Sequence, residues 1–219
     1  MRVPPLTPRT LATFLAVQFL LGQAHELTHH LAARAVCGAW GTMTFDFFFL
    51  PSGGAGLPSA LWSTFAGPAL TYALILLGGF FLRRGSSPAG WLLVFANLPM
   101  GRLASVLGGH GDELVLARAW LGGPWAWPLA VALALLLLAP PLLAAWRALA
   151  PAGRTRAFAG LLLLPLLADV LLKRVLLAPL LARFAGPAAF GLPAFLIAVD
   201  LLFVAMVALL LFGPKRQAV

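Results

Sequence analysis

Six stretches of mostly apolar residues, each about 20 long, are set apart by short basic or glycine-rich pieces. About 20 such residues are what a helix needs to cross the hydrocarbon core of a bilayer. The stretches cover 10–36, 58–82, 88–107, 125–146, 158–177 and 188–212. Thr7-Pro8 suits the first turn of the first helix, a capping hydroxyl followed by proline. Asn97, Pro99 and Arg102 interrupt the third stretch, and Pro165 lies inside the fifth. Composition agrees: the chain is 62% apolar and 10% charged, against about half and about a quarter in soluble domains. So few charges cannot cover a water-facing surface. The expected fold is an all-α polytopic membrane protein with about six transmembrane helices, and lipid bilayer is its solvent.

The net charge of +9 does not point to nucleic acid. Its basic residues flank apolar runs, as in Arg83-Arg84, Lys173-Arg174 and Lys215-Arg216, which is the habit of membrane spans. Counting them puts the amino terminus in the cytoplasm. A single cysteine, Cys37, rules out an intrachain disulfide and a cysteine-rich metal site. The start of the chain, with a basic residue, an apolar run and small residues near Ala24, has the outline of a signal peptide. The helical pattern continues past Ala24, so an uncleaved first span is expected.

Residues 39–60 read "AWGTMTFDFFFLPSGGAGLPSA". Trp40, Thr42, Thr44, Phe45 and Phe47 to Phe49 favour strand, and the glycines after them favour a loop. A short membrane-edge strand or hairpin is expected after the first helix. A second flexible loop is expected at Gly108 to Gly111, followed by a short interfacial helix from Glu113 to Leu121.

Against this apolar background, "AHELTHH" places three of the chain's four histidines and one of its six acids within six positions of the first span. Ionisable residues inside a membrane are costly and mark function by default. His25, Glu26 and His29 form an HExxH pattern. Residues four apart share a helix face, so His25 and His29 are able to present two imidazole nitrogens to one metal. Glu26, rotated by about 100°, sits beside them as a general base for water. The chemistry is metal-assisted hydrolysis, with Zn2+ as the cofactor. His30 is turned away from that face and is expected to support a helix contact.

A catalytic zinc takes a third protein ligand. The candidates are Asp46, His110, Asp112, Glu113, Asp169 and Asp200. The third span runs in the same direction as the first, so its end returns to the depth of His25 and His29. Asp112 lies just past that end, in a glycine-rich bend, and is the favoured ligand, with His110 next. Asp169 sits four residues before Lys173 and is expected to pair with it. Asp200, in mid-span, is expected to bond to another helix.

With these residues in place, the chain resembles the site-2 protease family of intramembrane metalloproteases over about Leu11 to Leu121. "AHELTHHLAARAVCG" resembles the family's HExxH helix, "FAGPALTYALILL" its Gly-Pro segment, and "ANLPMGRLASVLGGHGDE" its Asn-x-x-Pro stretch leading to an aspartate. The resemblance implies zinc on His25, His29 and Asp112, Glu26 as base, and peptide cleavage within or beside the membrane. It assigns substrate or oxyanion contacts to Thr71, which stands where the family usually has Asn, and to Asn97. It also implies that the phenylalanine-rich edge binds substrate by strand addition, and that the site opens to the cytoplasm, opposite to what the charge count favours.

Two units are expected: a metalloprotease-like membrane core of three helices over 1–123 and three accessory transmembrane helices over 124–219. The expected function is a zinc-dependent intramembrane endopeptidase acting on membrane-protein or peptide substrates, in a bacterial cytoplasmic membrane. The alternatives are a non-proteolytic metal-binding protein, such as a transporter or degenerate regulator, and a membrane hydrolase of a small amide or lipid.

Overall fold

A computed structural model describes residues 7–50, 57–85, 87–186 and 188–213. The chain is mostly helical, with two small hairpins. Among the described residues, four helical segments are long and apolar enough to cross a membrane: Pro58–Arg84, Pro88–Leu107, Ala126–Ala148 and Ala194–Phe212. That fits a multi-pass membrane protein. The glycine-rich piece at 51–56 and the Lys215-Arg216 pair lie outside the described residues.

The first helix, α1, runs Pro8–Cys37. Thr7 caps it by accepting a hydrogen bond from the Thr10 amide at 3.1 Å, and Pro8 opens its first turn. Gly38 ends it in a left-handed conformation, φ 70°, where the absence of a Cβ removes the steric cost. Its expected place among the apolar spans is not matched by its composition. Gln18, Gln23, His25, Glu26, His29 and His30 lower its hydropathy below that of the four helices above. Most of these polar groups are nonetheless buried, because other elements surround α1.

The hairpin expected after α1 is present. Strand β1 (Thr42–Met43) pairs antiparallel with β2 (Phe48–Phe49), closed by the Thr44 amide donating to the Phe47 carbonyl at 2.8 Å. Helix α2 (Leu57–Arg84) packs along α1. The third stretch is two helices, α3 (Pro88–Phe95) and α4 (Pro99–Leu107). The break falls at Asn97 and Leu98, whose left-handed φ of 51° turns the chain before Pro99. Arg102 does not break the helix; it lies within α4. Helix α5 (Asp112–Leu121) matches the expected short helix and packs Leu114 and Ala117 against α6 (Ala126–Ala148) through Ala126, Ala130 and Ala134.

The fifth stretch differs from a single span. Helix α7 (Arg154–Asp169) passes into a π-helical segment, Val170–Leu177, and then α8 (Ala178–Phe184). Asp169, Lys173 and Arg174 interrupt its apolar run. The sixth begins later than expected. Residues 188–193, read as its first turns, form a second hairpin of β3 (Ala188–Ala189) and β4 (Leu192–Pro193), with left-handed Phe190 and Gly191 at the turn. Helix α9 (Ala194–Phe212) follows. One face packs Leu196, Val199 and Phe203 against the core, while Leu201, Leu202, Val204, Leu209 and Phe212 are exposed on the other, as on a lipid-facing helix.

Helix α2 reaches its neighbours through small residues. A Cβ on Gly79 would sit 2.6 Å from Cβ and 2.7 Å from Cα of Pro141 on α6. Small residues at such crossings are what let helices pack without a hydrophobic driving force. Gly79→Val is expected to force α2 and α6 apart and to cost about 1–3 kcal/mol of stability. A methyl added at Gly160 on α7 would find its nearest neighbouring atom 3.9 Å away, so Gly160→Ala is the matched control. Unfolding midpoints in detergent check the pair: the first should fall and the second should hold.

Candidate functional site

The polar face of α1 turns toward α2, α4 and α5 and meets a cavity of about 840 Å³. His25, Glu26 and His29 line it from α1, Phe48 from the first hairpin, Arg102 from α4 and Asp112 from the start of α5. Asp112 reaches this depth because Gly109 and Gly111 bend the preceding loop. Gly111 has φ 89°, a conformation strained for any residue with a side chain.

Each histidine is held by its outer nitrogen. His29 Nδ1 lies 2.7 Å from the Ser63 carbonyl oxygen. A carbonyl only accepts, so Nδ1 carries the hydrogen, and in the neutral ring Nε2 carries the lone pair. Ser63 returns the contact, its hydroxyl donating to the His29 carbonyl at 3.0 Å. His25 Nε2 lies 2.9 Å from an Arg102 guanidinium nitrogen, which only donates. Nε2 of neutral His25 therefore holds its lone pair, and Nδ1 donates to Thr71 Oγ1 at 2.8 Å. Partners of this kind orient metal-binding imidazoles.

The two lone pairs converge with a carboxylate. His25 Nε2 and His29 Nε2 are 3.1 Å apart. Asp112 Oδ2 is 3.2 Å from the first and 3.6 Å from the second. Burial pushes the Asp112 carboxyl up. The Arg102 guanidinium, 3.0 Å from Oδ2, acts against it and favours the ionised carboxylate. Three acceptor atoms crowded together repel one another unless a cation neutralises them, and Arg102 does so for two of the three. A tetrahedral zinc with bonds of about 2.0–2.1 Å sets its ligand atoms about 3.3 Å apart. The three edges match that triangle closely, and the donor set of two imidazoles and a carboxylate suits zinc.

Space for the ring of His29 is made by Gly67 on α2. A Cβ there would overlap the His29 ring at Nε2. Gly67 and Pro68 are the Gly-Pro pair of the second motif. The glycine makes room for His29, and Thr71, one turn further along the helix, accepts from His25.

The remaining candidates separate. His110 lines the rim of the cavity and is exposed, outside the ligand cluster. Glu113 is buried and accepts from the Tyr72 hydroxyl at 2.9 Å, with Arg102 at 3.5 Å. Asn97 also lines the cavity, but its amide donates to the Leu93 carbonyl of the preceding helix α3 at 2.7 Å. Asp169 pairs with Lys173 at 3.0 Å, as its spacing suggests. Asp46, on the first hairpin, faces Lys173 at 4.0 Å and Arg174 at 3.5 Å. Burial pushes the Asp46 carboxyl up, and Lys173 pulls it back only in part. His30 donates from Nε2 to the Phe190 carbonyl at 2.7 Å and stacks on Trp40, centroids 5.0 Å apart. It is a contact to the second hairpin. Asp200 Oδ1 is buried with no hydrogen-bond partner among the described residues, so the expected helix-to-helix bond is not seen there.

Arg102, Ser63 and Gly67 belong to this site and lie outside the motif's ligand and base positions. A lone arginine inside an apolar segment is the available signal for the first. For Gly67 the signal is the Gly-Pro segment of the family resemblance; Ser63 has none, since serine is common in packed membrane helices.

No family model, curated protein or solved structure matches this chain.

Gly67→Ala is expected to displace His29 and weaken zinc binding by about 10–100-fold, and Thr71→Val to do the same through His25. Asp112→Ala should lose zinc, while His110→Ala should retain it. Zinc titration of the purified protein against a chromophoric chelator measures all four.

Proposed function

We propose that this chain is a zinc-dependent intramembrane endopeptidase that hydrolyses peptide bonds in or near the spanning segments of membrane proteins. The observation that carries the reading is the triangle of His25 Nε2, His29 Nε2 and Asp112 Oδ2, with edges of 3.1, 3.2 and 3.6 Å. Glu26 beside it in the same cavity favours an enzyme over a metal carrier, because simple binding needs no base.

The roles follow from position. His25, His29 and Asp112 would hold the metal, which when bound lowers the pKa of water to about 7. Glu26 takes a proton from the attacking water as its oxygen bonds to the scissile carbonyl carbon, and passes that proton to the leaving amide nitrogen. The C–N bond breaks, and one water is consumed per new carboxylate and amine.

The first hairpin favours a peptide substrate. On one side β1 meets the second hairpin, through the Met43 amide and the Gly191 carbonyl at 3.4 Å. On the other side β2 borders the cavity, where Phe48 stacks on His29 with centroids 6.0 Å apart. An extended peptide added to the β2 edge would pass the ligands.

In this reading α1 and the α7–α8 segment also cross the bilayer, giving six spans. At about 1.5 Å per residue the 30 residues of α1 are long enough. Its polar groups are tolerated because neighbouring helices enclose them. The resemblance to site-2 proteases favours the cytoplasmic membrane of a bacterium as its location.

A second reading has one observation in its favour. Arg102 donates to both His25 and Asp112, so the cluster could be a buried ion network that needs no metal.

The deciding experiment compares wild type with Glu26→Gln in detergent, using a panel of single-span substrates and measuring zinc in both. Wild type should carry about one zinc and cleave, and Glu26→Gln should keep the zinc and lose cleavage by at least about 10²-fold. Equal cleavage by the two removes the mechanism, and no zinc in wild type leaves the ion-network reading.

A further inference from the structure

Both residues to which the family resemblance assigns substrate or oxyanion contacts already hold one hydrogen bond each. The Thr71 hydroxyl oxygen serves the His25 ring at 2.8 Å. The Asn97 amide donates to the Leu93 carbonyl of α3 at 2.7 Å. A different donor stands over the ligands. One guanidinium nitrogen of Arg102 is anchored by Asp112 Oδ2 at 3.0 Å and faces Glu113 Oε1 at 3.5 Å. Glu113 is fixed in turn by Tyr72. The other terminal nitrogen points at His25 Nε2, 2.9 Å away.

We propose that Arg102 is the residue that hydrogen-bonds the scissile carbonyl oxygen and stabilises the negative charge it develops. This rests on the peptidase reading above. An imidazole nitrogen has one lone pair, so a metal bound at His25 Nε2 takes the acceptor from Arg102. The second nitrogen moves off that lone pair, while the guanidinium stays anchored through its first nitrogen. Its second nitrogen then keeps a donor directed into the cavity beside the ligands, where the carbonyl of a bound peptide supplies an acceptor. A charged donor held in place before reaction is what such an oxygen requires. The planar fork of arginine allows one edge to be anchored while the other works, which a lysine ammonium does less well. The turn at Leu98 sets this geometry by aiming α4 so that Arg102 faces α1.

The test uses the full chain in detergent, as wild type, Arg102→Gln, Arg102→Lys and Glu26→Gln. Zinc content, kcat and KM on a single-span substrate, and affinity for a peptidyl phosphonate that mimics the tetrahedral oxyanion are measured on each. Arg102→Gln should retain zinc and change KM little, with kcat falling by about 10²–10³-fold and phosphonate affinity falling in parallel. Arg102→Lys should recover part of both. Arg102→Gln that holds zinc with kcat and phosphonate affinity unchanged overturns the proposal. Loss of zinc in Arg102→Gln also overturns it, because Arg102 would then only support Asp112. Failure of the peptidase reading looks different: wild type lacks zinc, or Glu26→Gln cleaves as wild type does, and Arg102 has no substrate oxygen to serve.

Discussion

The contact between α1 and α2 at His29 is the constraint on which the rest of the site depends. Ser63 and His29 exchange two hydrogen bonds, ring nitrogen to carbonyl at 2.7 Å and hydroxyl to carbonyl at 3.0 Å. Gly67 lets the two helices close to a distance that a methyl group would forbid. The exchange fixes the tautomer of His29 and the register of α2 against α1. With that register set, Thr71 falls opposite His25, and Tyr72 falls opposite Glu113. One helix pair therefore orients both imidazoles and, through Glu113, the guanidinium that faces them.

The same logic explains how so polar a helix survives in an apolar chain. A polar group out of water is costly unless it finds a partner. Gln18 donates to the Pro165 carbonyl of α7, Gln23 to the Phe45 carbonyl of the first hairpin, and His30 to the Phe190 carbonyl of the second. Each of these side chains ties a different element to α1. Helix α1 is thus the axle of the fold, with α2, α7, α9 and both hairpins arranged about it. The opposite wall of the cavity is built likewise. A buried Lys173 on the π-helical segment pairs with Asp169 and faces Asp46, joining that segment to the first hairpin.

Much of this is legible in the residues. Apolar runs locate the helices, since length and hydropathy are local properties. The strand-forming residues from Trp40 to Phe49 and the glycines after them locate the first hairpin. Two spans depart from expectation where local pattern conflicts with turn chemistry or charge. Residues 188–193 are apolar enough for helix, yet Gly191 and Pro193 direct them into a hairpin. Asp169, Lys173 and Arg174 break the apolar run of the fifth segment, and a π-helical turn accommodates them. Arg102 reads as an interruption because a charge in an apolar run is unexpected; it sits in a regular helix because carboxylates across the cavity satisfy it.

For the site, the sequence by itself determined that His25 and His29 share a face and that Glu26 lies beside them, because helical periodicity is set by backbone hydrogen bonding alone. It also narrowed the third acidic partner to a few residues and favoured Asp112 by depth. Only the tertiary structure decided that Asp112 comes within 3.2 and 3.6 Å of the imidazoles, that Thr71 and Ser63 orient the rings, and that Arg102 stands over them. These depend on how α2, α4 and α5 pack against α1. Packing is fixed by side-chain fit between segments distant in the chain, and no local pattern records it.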